Sequence, residues 1–170
     1  MANLVRLPTS TPTTDWLGRE SPPQTLYPAW YRVFLCYNPV MTSRSQAETD
    51  RIAADWLSDL RPSGGLATVV GLYGELGSGK TAFTQAAGRA LGISEPLQSP
   101  TFVLIKNYPI TEAAWHNFVH IDCYRLDQPD NLLHLGWNEL VADPENLILV
   151  EWPERVGDLF IEAMEIVGVD

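Results

Sequence analysis

An α/β fold around a largely parallel central sheet is expected from three features of the chain. Apolar, β-branched runs at residues 66–73, 101–108, 116–122 and 146–151 have the composition of strands, and they are interleaved with segments of helical periodicity. The first strand runs straight into a glycine-rich octapeptide and then into a helix at 81–91, stopped by Gly92. Two of the strands end on an acid, Asp122 and Glu151, where open α/β sheets bind their ligands.

The octapeptide decides the subclass. Gly74-Glu75-Leu76-Gly77-Ser78-Gly79-Lys80-Thr81 fits G-x-x-x-x-G-K-[ST], the Walker A loop, and predicts a P-loop NTPase-like three-layer sandwich. Gly74, Gly77 and Gly79 can take backbone angles that residues with a Cβ resist, so the loop can curl with its N–H groups inward. The backbone of residues 75–81 then forms a cradle for a polyanion at the start of a helix. Lys80 is placed to reach the β- and γ-phosphates, and Thr81 to hold Mg²⁺ through its hydroxyl.

The elements follow in order. Residues 1–40 carry six of the 13 prolines, are rich in Thr and Ser, and are close to neutral, which predicts a flexible extension. Residues 30–37 are the exception and read as one strand. Met41 opens the body: Ser43 or Ser45 can cap a helix whose Ala53, Trp56, Leu57 and Leu60 recur at i, i+3, i+4 and i+7. The expected division is therefore an extension at 1–40 and a P-loop domain at 41–170, with the working protein able to start at Met41. A loop follows at 94–100, then a strand at 101–108 that can pair as a hairpin with 116–122 across a turn at 109–114. A short helix is expected at 130–135, a strand at 146–151, a helix at 155–164 and a last strand at 165–169.

Composition excludes several functions. The formal net charge is −10, all of the excess lying after residue 40, which argues against a direct grip on a nucleic-acid backbone. No apolar run approaches membrane-spanning length, and Cys36 and Cys123 have no metal or redox spacing, so a reducing, cytoplasmic setting is expected. His116, His120 and His134 are not spaced as a ligand set and read as structural or solvated.

Hydrolysis needs an acid near the metal and a group that positions water. Asp122 and Glu151 are the two candidates, and spacing alone leaves their roles interchangeable. Thr101, after Ser99-Pro100, stands where a switch loop could sense a γ-phosphate.

GELGSGKT, SPTF, HIDCYR and VEWPER, in this order, resemble the TsaE family over roughly residues 43–158. The resemblance implies a small ATPase required for making threonylcarbamoyladenosine in tRNA. It implies ATP and Mg²⁺ as ligands, and TsaD and TsaB as partners, with tRNA reached only through their complex. It further implies that Gly77, Ser78, Gly79 and Lys80 contact the phosphates and that Thr81 and Glu151 form the Mg²⁺ site. Thr101 takes the switch position, Asp122 supports hydrolysis, and Trp152 stands beside the metal-binding Glu. Tyr124 and Arg125 belong to the motif without assigned chemistry. The chain departs from the pattern in its first 40 residues and in ending at Asp170, sooner than the resemblance leads one to expect. A small-molecule kinase and a non-hydrolysing ATP-dependent docking switch are the alternatives. Only Arg125 and Arg155 lie downstream of residue 90, which disfavours the Arg-rich lid of a kinase.

Overall fold

A computed structural model describes residues 3–5, 41–62, 65–100, 104–111 and 113–156. The strand expected at 30–37, Thr101, and the elements expected beyond residue 156 lie outside the described residues. Asn3–Val5 (β1) pairs antiparallel with Met41–Ser43 (β2). Gln46–Asp59 (α1) follows, with Ser45 as its N-cap: the Ser45 hydroxyl accepts from the Glu48 N–H at 3.2 Å.

Four strands make the main sheet: Thr68–Leu72 (β3), Ile105–Pro109 (β4), Asn117–Asp122 (β5) and Asn146–Glu151 (β6), in the order β3-β6-β5-β4. β6 runs parallel to both β3 and β5, and β4 is the antiparallel edge, the hairpin the sequence suggests. Pro109 falls at the end of β4 rather than in the turn. An edge strand tolerates it because an edge needs no second row of N–H donors.

The period of two along the strands sorts side chains onto two faces. Val70, Leu72, Phe118, Leu147 and Leu149 pack with Ile52, Ala53 and Trp56 of α1 and with Phe83, Ala86 and Ala87 of Lys80–Ala90 (α2). Val69, Val119, Ile121, Ile148 and Val150 pack on the other side with Leu132 of Pro129–His134 (α3) and with Trp137 and Val141 of Trp137–Ala142 (α4). The result is a three-layer α/β/α sandwich. Each fully buried large side chain contributes about 1.5–3 kcal/mol of burial free energy. Phe83 and Trp56 meet edge to face at 5.3 Å, which joins α2 to α1.

One buried polar contact ties the hairpin turn to the sheet. Trp115 Nε1 donates to Thr68 Oγ1 at 2.9 Å, at the amino end of β3. Trp115→Phe keeps an aromatic ring but removes the indole N–H and part of the buried ring system, so it is expected to cost about 2–4 kcal/mol, the lost hydrogen bond and the cavity together. A lowered urea midpoint at unchanged slope is the check.

Candidate active site

β3 ends at Leu72 and the chain turns through three glycines at positive φ: Gly74 (133°), Gly77 (82°) and Gly79 (103°). Non-glycine residues are rare there, so the glycines of the motif are required by the curl itself. Gly79, left-handed, is the N-cap of α2 and supplies no side-chain hydrogen bond, which leaves the first-turn N–H groups available to an anion. Leu76, at the tip, is 79% exposed.

Lys80 is the first residue of α2 and is buried. Its ammonium donates to Gly74 O at 2.6 Å, Glu75 O at 2.9 Å and Ser78 Oγ at 3.3 Å, closing the loop on itself. Burial pushes its pKa below the ordinary lysine value, opposed by the carboxylates of Glu151, Glu154 and Asp122. The ammonium also lies 3.7 Å from the centroid of the Trp152 ring. Trp152 meets Tyr124 at 5.0 Å with the ring planes tilted by 54°, and the Arg155 guanidinium lies 5.5 Å from the centre of the Tyr124 ring. Two motifs that the sequence separates by more than twenty residues thus form one aromatic cluster. Trp152 has φ 58° and ψ 46°, a left-handed conformation costly for a bulky residue. Its backbone N–H donates to Leu72 O at 3.2 Å, which ties the chain after β6 to the end of β3.

Thr81 and Glu151 come together across 70 residues of sequence: Thr81 Oγ1 donates to Glu151 Oε2 at 2.8 Å. The other carboxylate oxygen, Oε1, lies 2.8 Å from His120 Nε2. Asp122 and Glu151 are register partners, so both carboxylates sit at the carboxyl ends of adjacent parallel strands. Asp122 differs in its partners: Ser99 Oγ donates to Oδ2 and the Tyr124 N–H to Oδ1, each at 3.0 Å.

These residues surround a cavity of about 180 Å³ lined by Leu76, Gly77, Gly79, Lys80, Thr81, Ala82, Glu151 and Trp152. A larger groove of about 450 Å³ lies between the ends of α1 and α2 and the turn before β5. Its lining is mainly Ala and Leu, and Arg61 is its one charged residue, so it offers no acid–base pair. The smaller cavity holds the chemistry. A hydroxyl beside a carboxylate is a hard-oxygen pair of the kind Mg²⁺ takes when phosphates and water complete its shell. Among the described residues no three His, Cys, Asp or Glu form a metal-holding group.

Of the predicted site residues, Glu75, Leu76, Gly77, Ser78, Gly79, Lys80, Thr81 and Glu151 converge here, and Asp122 lies next to Glu151. His120, which by spacing reads as structural or solvated, is buried against Glu151, a contact that the sequence pattern does not reveal. Cys123 is buried, and burial, reinforced by the nearby Asp122 and Glu154 carboxylates, pushes its thiol up to about 12, which makes it inert at neutral pH.

The family model described as "Threonylcarbamoyl adenosine biosynthesis protein TsaE" matches residues 43–168. The chain belongs to the TsaE family. The TsaE protein of a Nostoc species, a "tRNA threonylcarbamoyladenosine biosynthesis protein", is 39% identical over 92 residues, 52% of this chain and 54% of that one. Its Rickettsia conorii counterpart is 34% identical over 119 residues, 69% of this chain and 63% of that one. The chain thus spans between about half and two thirds of the length of these two relatives. Among solved structures, YdiB of Bacillus subtilis superposes with a TM-score of 0.52 at 28% identity, over 69% of this chain and 66% of that one. The TsaE match and this superposition agree with the P-loop sandwich built above.

Proposed function

We propose that this TsaE-family chain is a P-loop ATPase that uses ATP and Mg²⁺ while acting on a TsaB–TsaD complex in threonylcarbamoyladenosine modification of tRNA. In this reading it works in the cytoplasm and reaches tRNA only through that complex. The 2.8 Å contact between Thr81 and Glu151, facing Lys80 across one cavity, is the observation that carries it. The loop N–H groups and Lys80 bind and orient the β- and γ-phosphates, and Lys80 exchanges its bonds to Gly74 O and Glu75 O for phosphate oxygens. Thr81 and Glu151 would hold Mg²⁺, which would supply charge withdrawal from the phosphoryl group. Asp122, anchored by Ser99 and the Tyr124 N–H, orients the attacking water and accepts its proton. Thr101 is assigned to the switch position. The net charge of −10 supports docking on protein partners over gripping RNA.

Calorimetry with ATP and Mg²⁺, followed by phosphate release with and without TsaB–TsaD, tests the reading. ADP and free phosphate, formed faster with the partners, are expected. A phosphorylated metabolite would instead make the chain a kinase, and binding without turnover would make it a docking switch. We also propose the division at Met41, which accords with the family match beginning at residue 43. A fragment starting at Met41 is expected to bind ATP within about threefold of the full chain, a difference under about 0.7 kcal/mol. Loss of binding in a folded fragment would move that boundary.

A further inference from the structure

We propose that His120 is a positioning residue for the metal site. Its ring fixes which oxygen Glu151 turns toward Thr81, and so sets how well the site holds a divalent cation. The inference rests on the ATP and Mg²⁺ reading above.

The placement comes from strand register. β5 and β6 run parallel with Asp122 opposite Glu151 and His120 opposite Leu149. Side chains two apart share a face, so His120 is the diagonal neighbour of Glu151 on the face that carries α2. Its ring is fully buried, and Glu151 is 2% exposed. His120 is shut off from bulk solvent, and Glu151 meets it only through the cavity at the phosphate loop.

A glutamate carboxylate ordinarily turns freely, because its last torsion is broad and roughly two-fold. Here both oxygens have hydrogen-bond partners, Oε1 with His120 Nε2 and Oε2 with the Thr81 hydroxyl, each at 2.8 Å. Holding Oε1 from behind leaves Oε2 as the oxygen presented at the phosphate loop. A hydrogen bond behind a metal-binding carboxylate orients it, and loss of such a partner typically weakens metal binding or activity about 10–100-fold.

The opposite ring nitrogen supports the same role. Among the described residues, His120 Nδ1 is buried and has no hydrogen-bond partner. A residue that only filled space would do better as Phe or Leu, which leave no polar atom stranded. The bond to Glu151 is what the imidazole offers over an apolar ring. The same asymmetry assigns the tautomer: the proton sits on Nε2, facing the carboxylate, because an N–H on Nδ1 would be buried with no acceptor.

The test compares wild type with His120→Phe and His120→Gln. Mn²⁺ binding is followed by electron paramagnetic resonance in the presence of a non-hydrolysable ATP analogue, and analogue binding alone is measured in chelator. His120→Phe is expected to weaken Mn²⁺ binding about tenfold or more, while analogue affinity in chelator stays within about threefold, under about 0.7 kcal/mol. His120→Gln, whose amide Nε2 can donate from a similar reach, is expected to recover much of the loss. Wild-type Mn²⁺ affinity in a folded His120→Phe protein would overturn the role. Should that variant fail to fold, the wild-type ring decides through its ¹⁵N spectrum: an Nε2–H tautomer supports the role and an Nδ1–H tautomer overturns it. A wild type that binds no metal-nucleotide at all defeats the ATPase reading itself, an outcome distinct from normal binding in wild type and His120→Phe alike.

Discussion

A Lys80→Ala protein is expected to bind ATP roughly 10–100-fold more weakly than wild type, since hydrogen bonds to charged groups are worth about 1.5–3 kcal/mol. The ammonium bonds to Gly74 O, Glu75 O and Ser78 Oγ. In the proposed reading a phosphate would replace these neutral acceptors with anionic ones, and that difference would drive binding. Lys80→Arg should not restore affinity, because a planar fork does not fit a slot roofed by Trp152 at 3.7 Å. A pH series separates charge from shape. Burial holds the free Lys80 pKa below that of an ordinary lysine. Phosphate favours the charged form and raises that pKa, so affinity is greatest below the free value and falls as pH rises through it. Titration calorimetry from neutral to alkaline pH should show this decline in wild type and a much flatter profile in Lys80→Ala. Equal affinities in the two proteins at neutral pH would remove Lys80 from the phosphate site.

Local chemistry made much of this fold legible. The glycine-rich loop required a strand before it and a helix after it, and β3 and α2 are there. The helix starts one residue early, at Lys80, because left-handed Gly79 acts as its cap. β6 is an unbroken apolar run closed by an acid, and its observed limits match the expected ones. The short α4 escaped notice. It has six residues, it enters through left-handed Gly136, and its two buried side chains, Trp137 and Val141, are one turn apart. That is too few positions for a periodicity to register. The site divides in the same way. The loop residues were named by their own motif, and Glu151 and Asp122 by their place at strand ends. His120 and the cluster from Lys80 to Arg155 could not be found so, because they depend on register. Which residue of β5 faces which residue of β6 is set by a crossover that local sequence does not encode.

The separate roles of the two acids lead to the other large effect. Glu151→Gln is expected to lower Mg²⁺-dependent turnover about a hundredfold or more, roughly 2.7 kcal/mol in barrier, while ATP binding in chelator changes little. The amide keeps the volume of the carboxylate but loses its charge, and one of its two ends becomes a donor. That end can face the Thr81 hydroxyl, which accepts as well as donates, so the contacts with Thr81 and His120 can persist and the loss falls on the negative charge and on the oxygen a metal would take. Glu151→Asp keeps the charge but is shorter by one methylene, and it cannot reach both partners at once; a smaller loss, partly relieved by excess Mg²⁺, is expected. Asp122→Asn should behave differently. Ser99 and the Tyr124 N–H hold the Asp122 carboxylate, and its proposed work is on water rather than on metal. Turnover should therefore fall while the Mg²⁺ concentration for half-maximal activity stays near the wild-type value. The contrast turns on which carboxylate stands beside Thr81. If Asp122→Asn shifted the Mg²⁺ requirement and Glu151→Gln did not, the assignments of the two acids would have to be exchanged, because adjacent positions on parallel strands put either one within a side chain's length of the loop.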